Sequence, residues 1–197
     1  TSGSASLLVA PALAEAHAAG LPLVLLSADR PAELHGVGAN QTLDQVSPLA
    51  AFARWQVTLP CHAGGAGPHD VLGSTAEAAR MALGPPAGPV QLDLAFREPL
   101  APDPEPLPAD WLPRVADWAA VASPYAWRRG PAGVPADAVD RLRAELAAAR
   151  RPLVLVAGLS AAEDRDAAFA LAERSGAPWV ADAGSGLRLR PASTRRL

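Results

Sequence analysis

The first hundred residues switch repeatedly between helical and extended patterning. Ala5 to Ala19 has helical spacing and predicts a helix that Gly20 stops and Pro11 breaks or bends. Leu21 to Ser27 is a continuous apolar run without alternation, the pattern of a strand covered on both faces in a parallel sheet. "SPLAAFA" (47–53) predicts a short helix, and "RWQVTLP" (54–60) a second strand closed by Pro60. The glycines of "CHAGGAGPHD" (61–70) mark a loop, Val71 to Leu83 has helical spacing, and "GPVQLDLAF" (88–96) predicts a third strand. Strand, helix, strand in this order implies an α/β layer with right-handed crossovers.

The pattern changes after residue 100. Nine prolines fall between Pro99 and Pro135, so this stretch is expected to be extended and semi-rigid. It is too long for an ordinary loop and is assigned to an interdomain linker, with Trp111, Trp118 and Trp127 laid onto a surface. A second unit then opens with an amphipathic segment, Ala136 to Arg150, that places Val139, Leu142 and Leu146 on one face. Strand "PLVLVAG", helix Ala161 to Arg174 and strand "PWVADAG" complete the start of a Rossmann-like βαβ arrangement. The expected division is residues 1–100, a linker at 101–135, and 136–197. Too few strands precede and follow for either sheet to be whole, as expected of an internal piece of a larger protein.

Composition narrows the classes. Half of the 197 residues are hydrophobic, without an apolar run long enough to span a bilayer or a segment patterned as a signal peptide. A net charge of −3 gives no reason to expect nucleic acid, and the single Cys61 excludes an intrachain disulfide, so the cytoplasm is the expected compartment. Lys and Ile are absent, all seventeen cations are arginine, and Asn40 is the only asparagine. Abundant arginine therefore carries no information here by itself.

Polar groups concentrate in "ADRPAELHGVGANQTLDQ" (28–45), directly after the first strand. Ligands of open α/β sheets sit beyond the carboxyl ends of the strands, where Asp29 and Arg30 fall. Pro31 biases Arg30 toward extended backbone, and a planar guanidinium fork suits carboxylates and phosphates. Gly36 and Gly38 allow tight turns that would bring Asn40 and Gln41 back over the same crevice. Spacing leaves a second reading open, in which Asp29 and Arg30 form a surface ion pair and Asn40 fills a turn. Cys61 and His62 lack further ligands at metal-site spacing, and His17, His35 and His62 are too scattered to form a set with His69 and Asp70. Asp70 is expected near a helix start. "GGAG" (64–67) lacks phosphate-loop spacing, and "AGLSAAED" offers only Gly158 for a phosphate cradle.

Four segments occur in a telling order: "TSGSA" (1–5), "SADRPAEL" (27–34), "GANQTLDQ" (38–45) and "GPVQLDLAFREPL" (88–100). Together they resemble the 2-succinyl-5-enolpyruvyl-6-hydroxy-3-cyclohexene-1-carboxylate (SEPHCHC) synthases of menaquinone biosynthesis, thiamine diphosphate enzymes. "RPLVLVAG" and "PWVADAGSGLR" fit the middle domain of that family more loosely. The resemblance implies the back of a three-layer, parallel-sheet pyrimidine-binding domain followed by the front of a Rossmann-like middle domain. It implies decarboxylation of 2-oxoglutarate and addition of the resulting carbanion to isochorismate, in a homodimer or homotetramer. By the same resemblance Arg30 and Gln41 are catalytic, Arg30, Asn40 and Gln41 bind substrate, and Gly3, Ser4 and Gln41 lie against the cofactor. The family's catalytic glutamate and its "GDG…N" motif for Mg2+ and diphosphate are not in these residues, so no metal ligand is assigned. Ala32 and Leu43 depart mildly from the family pattern, where Pro and Ile are common. Arg188 and Arg190 are candidates to hold an anion in the second unit. An acetolactate synthase-type enzyme and an inactive truncated remnant are the alternatives, and this polypeptide alone is expected to be inactive.

Overall fold

The computed structural model describes residues 2–61, 67–84, 86–101, 111–121, 133–159 and 161–191. His62, the glycines at 64 and 65, Trp127 and the C-terminal arginines therefore lie outside the described residues, as does most of the proline-rich stretch. The chain divides into two compact units, Thr1–Trp127 and Arg128–Leu197.

The first unit opens with α1 (Ser4–Leu7) and α2 (Ala10–Ala19) in place of one long helix. Pro11 sits in the first turn of α2, where its missing N–H costs no hydrogen bond, so the break precedes it. Gly20 ends α2 in the left-handed conformation, φ 64°. Strands β1 (Leu23–Asp29), β2 (Trp55–Leu59) and β3 (Pro89–Ala95) form one parallel sheet in the order β1-β3-β2. The segment at 47–53 contributes a 3-10 turn, Ser47–Leu49. Between β2 and β3 runs α3 (Pro68–Leu83), whose Asp70 carboxylate accepts the Gly67 N–H at 2.7 Å, the expected role at a helix start.

Central β3 is buried on both faces. Val90 and Leu92 pack with Ala78 and Ala82 of α3, while Gln91 and Asp93 point the other way and are equally buried. The two-sided cover expected of the first strand is thus found on β3. Edge strand β1 leaves Val24 and Leu26 49% and 59% exposed. Within the stretch read as an extended linker lies a helix, α4 (Trp111–Ala120), which lies against α3. Pro113 is tolerated because it falls in the first turn, where its N–H would have had no partner.

In the second unit α5 (Ala136–Ala148) precedes β4 (Val154–Val156), α6 (Ala162–Ser175) and β5 (Trp179–Ala181), with β4 and β5 parallel. Trp179, fully buried, centres the core with Val156, Ala172 and Leu187, and meets Phe169 edge-on at 6.0 Å between ring centroids. On α5 the predicted apolar face is present but uncovered, with Leu142 50% exposed. Among the described residues no helix is long and apolar enough to cross a membrane.

Candidate active site

All three strands of the first sheet end at one rim, and a cleft of about 710 Å³ opens there. Asp29 and Arg30 line it from β1, Thr58 and Cys61 from β2, and Asp93 and Arg97 from β3. Parallel strands place every carboxyl end on the same side, so the loops that follow them converge. The crevice inferred from "LPLVLLS" running into Asp29 and Arg30 is this one.

Two sequence motifs interlock across the cleft. Arg30 reaches Glu98 at 3.3 Å, and Arg97 returns the contact to Glu33 at 2.7 Å. "DRPAEL" and "FREPL" are therefore bolted together by a reciprocal pair of ion pairs, extended by the Phe96 N–H donating to the Asp29 carbonyl at 2.9 Å. Hydrogen bonding from Arg97 holds the Glu33 carboxyl below the ordinary range. The Asp29 side chain accepts from the Arg30 backbone N–H at 2.7 Å and lies 3.5 Å from His35 Nε2. Asp29 is thus a wall residue rather than the surface partner of the Arg30 guanidinium.

The other predicted residues form a separate group beside the cleft. Gly36 and Gly38 do take positive φ, 74° each, yet the segment they turn onto the cleft is Thr42 to Val46. Asn40 and Gln41 are exposed and do not line it. Gln41, at φ 64°, instead donates from Nε2 to Ser2 Oγ at 2.8 Å and crowds Gly3. A Cβ on Gly3 would stand 2.5 Å from Gln41 Cγ, so only glycine fits, and its own φ of 65° asks for the same residue. Ser4 is exposed at the start of α1. The structure brings Gly3 and Gln41 together, and Arg30 stands apart from them in the cleft.

What joins the two groups is Gln45, 1% exposed. Its Oε1 accepts the Gly3 N–H at 3.0 Å and the Ser6 hydroxyl at 2.8 Å. Its Nε2 donates to the Ala28 carbonyl at 2.7 Å and to Asp93 Oδ1 at 2.9 Å. One carboxamide thereby ties the N-terminal loop to the carboxyl end of β1 and to the cleft floor. Ser27 adds a hydroxyl to Asp93 Oδ1 at 2.7 Å, and Gln91 donates to Ser27 Oγ at 2.9 Å. Burial pushes the Asp93 carboxyl up, and the neighbouring Asp29 charge acts in the same direction, against the Ser27 and Gln45 hydrogen bonds. Asp44 moves the opposite way, held below its ordinary range by Ser47 and by the Val46 N–H.

Sequence reasoning passed over Gln45, Asp93, Ser27 and Arg97, although each lies inside a segment singled out for other residues. For Ser27, Gln45 and Asp93 the signal is a polar residue in a strand or loop that the core encloses, whereas Arg97 is exposed and is marked only by its place just after β3. Among the described residues no cluster of three or more His, Cys, Asp or Glu is placed to hold a metal ion. In the second unit Arg190 is engaged by Asp166 and lies over the Phe169 ring at 5.0 Å.

The fold is a parallel α/β one like that of part of a thiamine diphosphate-dependent enzyme. A solved structure from Mycobacterium smegmatis, assigned to the thiamin diphosphate-dependent enzymes, superposes over 88% of this chain and 30% of its own with a TM-score of 0.60, at 23% identity. No protein-family model matches the chain. In sequence the chain is a relative of the SEPHCHC synthases, as its motifs indicated. It is 42% identical to the synthase of Chlorobaculum tepidum and 40% identical to that of Chlorobaculum parvum, in each case over 96% of this chain and 33% of the relative. The synthase of Salinibacter ruber is 38% identical over 95% of this chain. The chain spans about a third of the length of the curated relatives it matches.

Proposed function

We propose that this chain supplies part of the cofactor and substrate wall of a SEPHCHC synthase, which joins 2-oxoglutarate, after loss of CO2, to isochorismate. The observation that carries the reading is the pair of guanidinium groups, Arg30 and Arg97, lining a cleft at the strand ends of a thiamine diphosphate-enzyme fold. Among the described residues each is paired with an exposed glutamate side chain, Glu98 at 71% and Glu33 at 53% exposure. Such pairs are screened and weak, so a substrate carboxylate can take the glutamate's place. Both substrates of the proposed reaction bear carboxylates.

Gly3, Ser4 and Gln41 are the residues that would meet a flat heteroaromatic ring: the exposed Ser4 hydroxyl and Gln41 carboxamide face solvent, and the missing side chain of buried Gly3 lets Gln41 pack close against it. Thiamine diphosphate would supply the carbanion-stabilising electronics when bound. The chain's own part is to fix Gly3 and Gln41 through Gln45, to present Arg30 and Arg97 to carboxylates, and to offer the Gln41 amide to a polar group. Mg2+, the diphosphate ligands and the acid that activates the cofactor belong, in this reading, to the rest of a longer protein in the cytoplasm, assembled as a homodimer or homotetramer. The isolated chain is then inactive.

A chimera tests this. The aligned third of the Chlorobaculum tepidum synthase is replaced by this chain, and CO2 release with carboligation to isochorismate is assayed with 2-oxoglutarate, which donates a succinyl-level unit, and with pyruvate, which donates an acetyl-level one. Activity with 2-oxoglutarate that falls at least about 100-fold in Arg30→Ala is expected, the loss of a charge-assisted clamp being worth about 3 kcal/mol. A folded chimera that prefers pyruvate, or that ignores Arg30→Ala, refutes the reading. Carboligation by the isolated chain refutes the claim of inactivity.

A further inference from the structure

The floor of the cleft holds a carboxyl group whose two oxygens are treated unequally. Asp93 is 1% exposed, and its Oδ1 accepts from both Ser27 and Gln45. Its Oδ2 is buried and meets no donor among the described residues. On the adjoining strand Asp29 stands two residues beyond Ser27, the register partner of Asp93, and so on the same face; it too is buried, its Oδ1 taken by the Arg30 N–H and its Oδ2 3.5 Å from His35 Nε2, which lies closer, at 3.0 Å, to the Arg30 carbonyl. Two ionised carboxylates in such a place repel each other, and a buried oxygen without a donor is expensive. A proton on Asp93 Oδ2 removes the repulsion and makes that oxygen a donor, on the strand face that Asp29 shares.

We propose that Asp93 and Asp29 share one proton and form a proton-carrying pair in the cleft floor. Among the described residues the other titratable groups lining the cleft with the pair are Arg30, Glu33 and His35 after β1, Asp44 in the following loop, Cys61 after β2 and Arg97 after β3. With both acids ionised, the wall would set four carboxylates (Asp29, Glu33, Asp44 and Asp93) against two guanidiniums. Retaining the proton lowers that excess where the carboligase reading puts an anionic substrate. This consequence rests on that reading, whereas the shared proton does not.

The test is a titration of the chain, labelled with 13C at the aspartate carboxyls, followed by NMR from about pH 3 to about pH 9. The expected result is one aspartate whose apparent midpoint lies at least ~1 unit above the ~3.9 of a free side chain, the pair titrating in two steps. In Asp93→Asn the upper step disappears. Aspartates that all titrate near the free value overturn the proposal, as does an upper step that survives Asp93→Asn. If Asp93→Asn does not fold, Asp29→Asn decides: the upper midpoint must fall, and an unchanged one overturns the sharing. No cofactor or substrate enters this titration, so its failure and a failure of the chimera are separate results.

Discussion

Replacing Gln45 by alanine should be the most damaging polar substitution in the first unit. The side chain is fully enclosed and serves four partners: the Gly3 N–H, the Ser6 hydroxyl, the Ala28 carbonyl and Asp93 Oδ1. Truncation leaves Ser6 with the Gly3 carbonyl at 2.7 Å and Asp93 with Ser27, so those two retain a partner. The Gly3 amide and the Ala28 carbonyl lose the carboxamide that satisfied them. A buried group stripped in this way costs roughly 1–3 kcal/mol, so two of them give about 2–6 kcal/mol before relaxation. Water entering the vacated polar space recovers part of that, and a loss of about 3 kcal/mol is expected. Against a total stability of about 5–15 kcal/mol, the urea midpoint should drop sharply with the slope unchanged. Gln45→Glu should lose less at low pH than at neutral pH, because an ionised glutamate sets a second charge against Asp93 and cannot donate to Ala28. A loss below about 1 kcal/mol for Gln45→Ala would show that the network does not hold the N-terminal loop to the sheet.

Gly3→Ala should cost about 1–3 kcal/mol from the backbone alone, since φ 65° with ψ −147° is a conformation open essentially only to glycine, and more from the collision with Gln41. Gly36→Ala, with nothing within 4 Å of the new methyl, should show the backbone cost only. Paired thermal melts separate the two effects. Trp179→Ala should cost about 3–5 kcal/mol in the second unit and abolish its folding transition before that of the first, as read by hydrogen exchange resolved to each unit. The raised Asp93 carboxyl makes stability fall as pH climbs from the unfolded value of ~3.9 through the folded one, because the native state retains a proton the unfolded chain gives up. The lowered Asp44 acts oppositely, its contribution being lost as pH falls through its folded value. Asp93→Asn should flatten the decline on the high-pH side in urea titrations, and equal slopes for the two proteins would contradict the assignment.

Much of the architecture was legible before any coordinates. The apolar runs at β1 and β3, the helical spacing of α3 and α6, and Gly20 as a terminator are local signals, because each depends on neighbours within one or two turns. Helix α4 was hidden because proline density reads as extended, and density does not say which prolines fall in a helix's first turn. The separation of Gln41 from Arg30 was also illegible. Glycines at 36 and 38 announce a turn without saying which of the following residues the turn delivers to the cleft.

The division follows from the range of the interactions. Sequence alone determined that this is a parallel α/β chain with a concentration of polar groups after the first strand, and its motifs carried the likeness to the SEPHCHC synthases. Tertiary structure decided which strand is central, and with it which polar residues are buried. Alternation in "VQLDL" would by itself point Gln91 and Asp93 at solvent, yet both lie beneath the loop that Gln45 secures. Apolar Val24 and Leu26, the more natural core residues, stand exposed at the edge. Burial is a property of where a strand sits among its neighbours, and pairs such as Arg30 with Glu98 or Gln45 with Gly3 join positions 68 and 42 residues apart. No local pattern encodes a contact over that distance.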